Sequence, residues 1–258
     1  MRLEPDASLR IYLAGSICTV RGSALVPQSR LPGRQGRLAF AMLAADRDRA
    51  LSPDEMAEQL WGERPPRSWD TALRAIVSKL RSALGDVGLA PDAIGHALGC
   101  YQLLLPAGAW VDLEAADDAV HRAEAALRAG HRDEANGWAL VANAIARRPF
   151  LAGEEGSWAT RRRDILRDVR VRALECRSAV CLEKELFPLA ARDAELVLEL
   201  EPFRETAYRL LMRAHAGAGN PAEALRVYER CRSVIEEELG VSPSMDTEAL
   251  YLGILRTG

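Results

Sequence analysis

The stretch LSPDEMAEQLWG, residues 51–62, decides the fold of this chain. Ser52 is placed as the N-cap of a helix, with Pro53 at the first helical position and Glu55 three residues after the cap, as in a capping box. The apolar residues that follow recur at helical spacing. Gly62 is suited to end the helix in a left-handed conformation. We therefore expect a short helix of about ten residues.

A second helical pattern runs from about Ser68 to Leu84, after a pair of prolines. Its apolar residues share one side, which is expected to face the core. They are Trp69, Leu73, Ile76, Val77, Leu80 and Leu84. The opposite side carries hydroxyl groups and cations, which can approach a DNA groove and reach phosphates or guanine edges. The candidate DNA-binding residues on it are Thr71, Arg74, Ser78, Lys79 and Arg81. An ordinary solvated helix face is the alternative.

Another helix is expected to precede these two, starting at about Gly33. Its first turn holds Arg34 and Arg37, at the end of the helix where the dipole disfavours cations by a few tenths of a kcal/mol. A DNA phosphate would offset this cost, and so would a carboxylate on the protein surface. Arg34 and Arg37 therefore join the candidate DNA-binding residues. Arg67, just before the helix that starts at about Ser68, is a further candidate.

The N-terminal part of the chain also predicts a small β component. Residues 9–13 alternate apolar side chains with Arg and Tyr, and a further strand is expected near residue 25. After the third helix, residues 93–105 predict a hairpin, in which Gly99 and Cys100 supply a turn of the II′ type. This hairpin would be the wing of a winged helix.

Three runs of residues resemble the winged-helix domain of the Streptomyces antibiotic regulatory proteins (SARPs). They are Leu38-Ala-Phe-Ala-Met-Leu, the stretch of residues 51–62, and Ala72-Leu-Arg-Ala-Ile-Val-Ser-Lys-Leu-Arg-Ser-Ala-Leu-Gly. The resemblance implies an OmpR-type winged helix-turn-helix domain of α+β structure over residues 1–106. The wing departs from the pattern of this class, which often has arginine and a glycine-tyrosine pair, because this chain offers His96 and Cys100-Tyr101 instead.

Proline and glycine cluster at residues 106–109, which marks the expected domain boundary, and residues 110–258 turn helical. Ala190 and Ala224 lie 34 residues apart, as do Ala173 and Ala207. This period predicts an all-α, tetratricopeptide-like helical-repeat domain of stacked helix pairs. Seven helices are predicted, at about 112–129, 132–146, 158–185, 188–200, 204–216, 222–239 and 245–255.

Four segments of this second half resemble the bacterial transcriptional activator domain of the same regulators. They are Arg192-Asp-Ala-Glu-Leu, Glu201-Pro-Phe-Arg-Glu, Ala224-Leu-Arg-Val-Tyr-Glu and Glu238-Leu-Gly-Val-Ser-Pro-Ser. The resemblance implies an activator that binds direct repeats in promoters as a homodimer on double-stranded DNA. It also implies contact with RNA polymerase.

Charge is unevenly divided along the chain, whose net charge is −3. Residues 1–106 hold 13 basic and 11 acidic side chains, a net charge of +2, and the remainder carries −5. Any DNA contact should therefore be a local patch on the first domain. The three arginines at residues 161–163 are interpreted as solvated and paired along their own helix with Asp164 and Asp168.

Several classes of function are disfavoured. The five cysteines form no Cys-X-X-Cys pair and no disulfide framework, which favours a cytoplasmic protein, and no apolar run is long enough to cross a membrane. Catalytic motifs and histidine pairs at metal-ligand spacing are missing, so we expect a non-enzyme without cofactor or metal. The alternative to an activator is a helical-repeat interaction scaffold or ligand-sensing adaptor whose winged helix does not read DNA.

Overall fold

The structure, a computed structural model, describes residues 8–257 and is mainly helical with a small β component, as predicted. The strands in this range are β1 Arg10–Tyr12, β2 Cys18–Arg21, β3 Ala24–Pro27, β4 Ile94–Ala97, β5 Cys100–Leu103 and β6 Trp110–Val111. The α-helices are α1 Gly33–Ala45, α2 Pro53–Trp61, α3 Trp69–Gly85, α4 Asp112–Arg128, α5 Arg132–Ala146, α6 Ser157–Glu183, α7 Phe187–Leu200, α8 Glu205–Gly217, α9 Pro221–Leu239 and α10 Met245–Thr257.

The described residues form two compact units. Unit 1 runs to Ala116 and includes Ile145–Leu166, and unit 2 contains Asp117–Ala144 and the residues from Arg167 onward. This division differs from a single cut at residues 106–110, because residues 145–166 pack with the N-terminal part of the chain. That the domains 1–106 and 110–258 fold separately stays a prediction.

A four-stranded sheet in the order β3-β2-β1-β6 forms one side of unit 1. β1, β2 and β3 are antiparallel neighbours, whereas β6 lies parallel to β1, with Trp110 opposite Arg10. Asp112 follows β6 directly, and its buried carboxylate accepts hydrogen bonds from the backbone N–H groups of Leu13 and Ala14, each at 2.9 Å. Burial raises the pKa of Asp112, against the opposing effect of these bonds. The segment after the predicted boundary is thus tied to the sheet.

α2 begins with the N-cap that the sequence predicts. The Ser52 hydroxyl accepts a hydrogen bond from the Glu55 N–H at 3.1 Å, which confirms the N-cap of α2. The Glu55 carboxylate, however, accepts from Arg49 at 2.6 and 3.0 Å, so this ion pair replaces the reciprocal half of the predicted capping box. A guanidinium is a stronger donor to a carboxylate than a peptide N–H. Gly62 has a positive φ of 61° but a ψ of −139°, outside the left-handed helical region that we predicted.

The wing is the hairpin of β4 and β5, as predicted, but its turn is one residue earlier than expected. Ala97 pairs with Cys100, which leaves Leu98 and Gly99 as the two-residue loop. Their φ angles are 52° and 80°, both positive, as in a type I′ turn rather than II′. Buried residues of both strands set this register, since a slip of one residue would turn them to solvent. They are Ile94, Tyr101 and Leu103.

The helices of unit 2 stack as the repeat period predicts. The four alanines at the 34-residue spacing are fully buried, and small side chains there let successive helices approach closely. α7, α8, α9 and α10 pack in sequence around an apolar core. Tyr208, Leu211 and Cys231 lie within this core.

All five cysteines are free thiols. Cys176, Cys181 and Cys231 are buried, as expected of small apolar residues, whereas Cys18 and Cys100 are only half-buried. Burial raises the pKa of Cys231 to about 12, so its thiol is protonated at neutral pH. Among the helices within residues 8–257, none is both long and apolar enough to cross a bilayer.

Candidate nucleic-acid interface

The two sides of α3 are clearly separated. Leu73, Val77, Leu80 and Leu84 are buried. Thr71, Arg74, Ser78 and Lys79 are exposed on the other side, as predicted. Trp69 and Ile76 were expected in the core but are half-buried, because they lie where the apolar stripe meets the exposed side. α3 therefore presents a polar face to solvent while its apolar face holds it against α1 and α2.

This polar face borders an open groove of about 750 Å³. The groove is lined by Gly33 at the start of α1, by Trp61 at the end of α2, and by Ala75 and Lys79 of α3. Arg30 adds a second cation to the rim, where it forms an exposed ion pair with Asp86 at 2.6 Å. The groove thus brings small side chains and cations together beside α3.

Arg74 lies on the exposed face in an ion pair with Asp70, one helical turn before it, at 2.8 Å. The Arg74 side chain is 71% exposed, so water and salt screen the pair, which stabilises the helix by only about 0.3–0.5 kcal/mol. An interaction this weak leaves the guanidinium able to exchange Asp70 for another acceptor.

Arg34 has a stronger partner. Its Nε and Nη2 atoms donate to the two carboxylate oxygens of Glu154 at 2.9 and 2.6 Å, and the Glu154 side chain is only 11% exposed. A DNA phosphate or a carboxylate of the protein could offset the cost of a cation in the first turn of α1, and for Arg34 the structure shows a carboxylate. Arg37 is half-buried and lines a separate cavity of about 170 Å³ with Gly15 and Glu154. Arg67 is exposed in the loop before α3.

Arg81 connects α3 to the wing. Its Nε and Nη2 atoms donate to the backbone carbonyl of Ile94 in β4, at 3.1 and 2.6 Å. The side chain is half-buried, whereas we predicted an exposed phosphate contact. Sequence reasoning missed this role because a backbone acceptor leaves no trace in the residue types. Arg81 therefore helps to position the hairpin against α3.

Arg162 and Arg163 have different partners from the solvated pairs within their own helix that we predicted. Arg162 forms an ion pair with Asp46, the C-cap residue of α1, and donates to the Ala45 carbonyl at 3.1 Å. Arg163 donates to the carbonyl of Glu154 at 2.7 Å. The prediction was wrong for these two arginines. The last carbonyls of a helix such as α1 have no acceptor role within the helix and accept from other groups, and the Glu154 carbonyl before α6 likewise accepts from a side chain. Arg161 is exposed.

Asp46 is the centre of a buried polar cluster, which we call the Asp46 cluster. Its carboxylate, only 4% exposed, accepts from Arg49 at 2.6 Å and from the Trp158 indole N–H at 3.2 Å, besides Arg162. The hydrogen bond with Glu55 is the main cause that raises the pKa of Arg49. The cluster joins the end of α1 to the start of α6 within unit 1.

Comparison with known proteins agrees with this architecture. The family described as "Bacterial transcriptional activator domain" matches residues 111–255, more than half of the chain. Regulatory protein AfsR of Streptomyces coelicolor is 32% identical over 254 residues, which cover 98% of this chain and 25% of AfsR. Regulatory protein DnrI of Streptomyces peucetius is 27% identical over 258 residues, which cover 91% of this chain and 87% of DnrI.

Among solved structures, Mycobacterium tuberculosis EmbR in complex with a low-affinity phosphopeptide superimposes with a TM-score of 0.87 at 24% identity. The match covers 98% of this chain and 66% of that one, and it shows that the fold is shared. This chain spans about a quarter of the length of the AfsR proteins that it matches. The family match over residues 111–255, together with these relatives, shows that the chain belongs to the SARP family of transcriptional regulators that carry a bacterial transcriptional activator domain.

Proposed function

We propose that this chain is a sequence-specific transcriptional activator that places α3 in the major groove of double-stranded DNA. The observation that carries the proposal is the separation of the two sides of α3. Hydroxyl, small and cationic side chains are all exposed on one side, while the other side is held in the core. A helix of this kind can approach a groove floor without losing its packing.

The candidate residues take two roles in this proposal. Thr71, Arg74 and Ser78 lie near the middle of the exposed face, where they would meet base edges. Cations of α3, of the loop before it and of the first turn of α1 would meet phosphates and fix the register of the helix on the duplex. They are Lys79, Arg67, Arg34 and Arg37, of which Arg34 would reach a phosphate with the 55% of its side chain that remains exposed beside Glu154.

The assembly on DNA is also proposed. The chain would bind direct repeats in promoters as a homodimer, with the two winged helices head to tail on one face of the duplex. Unit 2 would support dimerisation and contact RNA polymerase, since stacked helix pairs offer an extended surface to a partner. Membership of a family of transcriptional regulators supports this assignment.

A comparison of two arginines tests the proposal. Arg74→Ala should weaken binding to a selected duplex by about 1–3 kcal/mol and relax the preference at one base pair, as expected for a lost bidentate contact to guanine. Arg226→Ala is the matched control, because Arg226 is 76% exposed on a helix of unit 2 and pairs with Glu223 at 2.6 Å. Lys79→Ala should weaken all sequences alike and reduce the salt slope by about one.

A scaffold function is the second candidate. The observation that favours it is the internal engagement of two predicted DNA-binding cations, Arg34 with Glu154 and Arg81 with Ile94. Binding affinity and base preference would then be the same for Arg74→Ala and Arg226→Ala in variants that circular dichroism shows to be folded. In that case the winged helix packs without reading DNA, and unit 2 carries the function.

A further inference from the structure

The tip of the wing carries a leucine in an unfavourable conformation. Leu98 is fully exposed, and its φ of 52° lies in the left-handed region, which asparagine or glycine occupies more readily. Among residues 8–257, only two other non-glycine residues have a positive φ. Leu151 is half-buried, and Glu185 is a polar residue just after α6. Leu98 therefore combines the cost of an exposed apolar side chain with the cost of a strained backbone, and the folded chain by itself offsets neither.

Exposure alone would not indicate a binding site, since single leucines are common on protein surfaces. Strain at the same residue is different, because strained residues cluster where a ligand is bound. A turn between Ala97 and Cys100 would be more stable with asparagine before Gly99. The leucine is therefore better explained by contact with a partner than by the stability of the hairpin.

The hairpin that carries Leu98 is held firmly at its base. Arg81 of α3 donates to Ile94 in β4, and the N–H and carbonyl groups of Tyr101 in β5 pair with those of Leu51, both at 2.8 Å. The side chain of Gln102 donates to the carbonyl of Arg47 at 3.0 Å. These contacts fix the tip relative to α3. If α3 lies in the major groove as proposed, a tip fixed in this way is expected at the neighbouring strand and minor groove.

The chemistry of the hairpin excludes a mainly electrostatic contact. Residues 94–103 contain no Lys, Arg, Asp or Glu. His96 is a polar residue of this hairpin, and its ring lies against the Tyr101 ring with their centroids 4.8 Å apart. A wing of this composition can attract DNA only weakly through phosphates. Leucine, by contrast, is one of the apolar side chains that insert between base steps from the minor groove.

We propose that Leu98 is an apolar wedge that enters the minor groove beside the half-site and partly unstacks a flexible pyrimidine–purine step. Such steps open more easily than the stiff steps of an A-tract, so the wedge selects sequence by deformability at a position that no polar side chain reads. The proposal rests on the proposed function, because it needs α3 in the adjoining major groove. It adds a specificity-determining residue outside α3.

The test uses the full chain and a duplex that this chain selects from a random-sequence pool. Selected duplexes should be enriched in TA or CA steps at a constant distance from the half-site. 2-Aminopurine placed at that step should brighten when the wild-type chain binds, because unstacking relieves quenching. Leu98→Asn should abolish this rise, weaken binding to the flexible site about tenfold, and remove the preference over an A-tract.

Two properties should not change in Leu98→Asn. The salt slope should stay the same because no cation is lost, and the melting temperature should not fall because asparagine tolerates a positive φ. Leu25→Asn is the control, since Leu25 is another exposed leucine of unit 1, at 56% exposure on β3. It should bind both duplexes like the wild-type chain.

Other outcomes overturn the proposal in distinguishable ways. If Leu98→Asn keeps its affinity and step preference while Arg74→Ala loses base preference, α3 reads DNA but the wedge does not exist. If Leu98→Asn binds DNA normally but fails to activate transcription by purified RNA polymerase, the tip docks on protein and the DNA contact is rejected. A wild-type chain that selects no duplex overturns the proposed function and this inference together.

Discussion

Asp46 has partners that are distant in the sequence. Its buried carboxylate is surrounded by donors from Arg49, Trp158 and Arg162, and the last of these lies 116 residues away. These donors replace the hydrogen bonds with water that the carboxylate loses on burial. Asp46 therefore fixes the end of α1 to residues 157–162 of the same unit.

We expect Asp46→Ala to lower the free energy of unfolding by about 2–3 kcal/mol, since it removes the acceptor that Arg49, Arg162 and Trp158 share. Arg49 keeps Glu55 and Arg162 keeps the Ala45 carbonyl, which limits the loss. The partial exposure of Arg49 and Arg162 keeps the cost below that of a fully buried pair. Chemical denaturation followed by circular dichroism measures it. Asp86→Ala removes an exposed partner of Arg30 and should cost less than about 1 kcal/mol. Equal losses in the two variants would show that the Asp46 cluster does not hold unit 1 together.

At the scale of elements, α3 and the wing act as one part. The buried side of α3 packs on α1 and α2, and Arg81 extends this attachment to β4 through the Ile94 carbonyl. The hairpin is only four residues on each side, and a short isolated hairpin is marginal in water. Its order therefore depends on contacts outside its own ladder.

Arg81→Ala should loosen the wing while leaving α3 intact. We expect faster amide hydrogen exchange in residues 94–103 by about a factor of ten, as for a local opening that becomes easier by roughly 1.4 kcal/mol. Lys79→Ala, an exposed cation on the same helix, is the control and should leave exchange in the wing unchanged. Mass spectrometry of peptic fragments measures exchange in α3 and in the wing separately. Unchanged exchange in Arg81→Ala would mean that Leu51 and Gln102 suffice to hold the hairpin.

At the scale of the whole molecule, the two parts of the chain carry different net charges. Residues 1–106, all of which belong to unit 1, carry +2 and the remainder carries −5, so in the proposed function the attraction for DNA phosphates acts on unit 1. In the proposed assembly, unit 2 holds two copies together so that two winged helices meet successive direct repeats. Binding should then depend on the rotation between the repeats as well as on their sequence.

Insertion of about five base pairs between the repeats, half a helical turn, should abolish cooperative binding, and insertion of about ten should restore part of it. Gel shifts over a range of protein concentrations separate singly from doubly bound duplex. The half-sites themselves are unchanged, so binding to a single site is an internal control. Cooperative binding that survives the five-base-pair insertion would contradict a head-to-tail dimer on one face of the duplex.

Much of the fold could be predicted because its signals are local. The helix predicted at residues 132–146 is observed as Arg132–Ala146, and that predicted at 158–185 as Ser157–Glu183. Helical periodicity, the Ser52 cap and the 34-residue spacing of alanines all depend on residues close together in the chain or on a simple repeat. The exposed polar side of α3 follows from the same periodicity.

The sequence by itself determined the helices, their order and the exposed side of α3, because propensity, capping and periodicity act within a few turns of the chain. The resemblance of particular runs of residues determined the family. β6 was not predicted, because its pairing with β1 joins residues about a hundred positions apart. Only the tertiary structure decided the partners of the arginines. Arg34 meets Glu154 and Arg162 meets Asp46 across more than a hundred residues, and Arg81 meets a backbone carbonyl that any residue would offer. The turn at Leu98 was likewise decided by which side chains of the hairpin are buried, since register depends on the core that the strands cover.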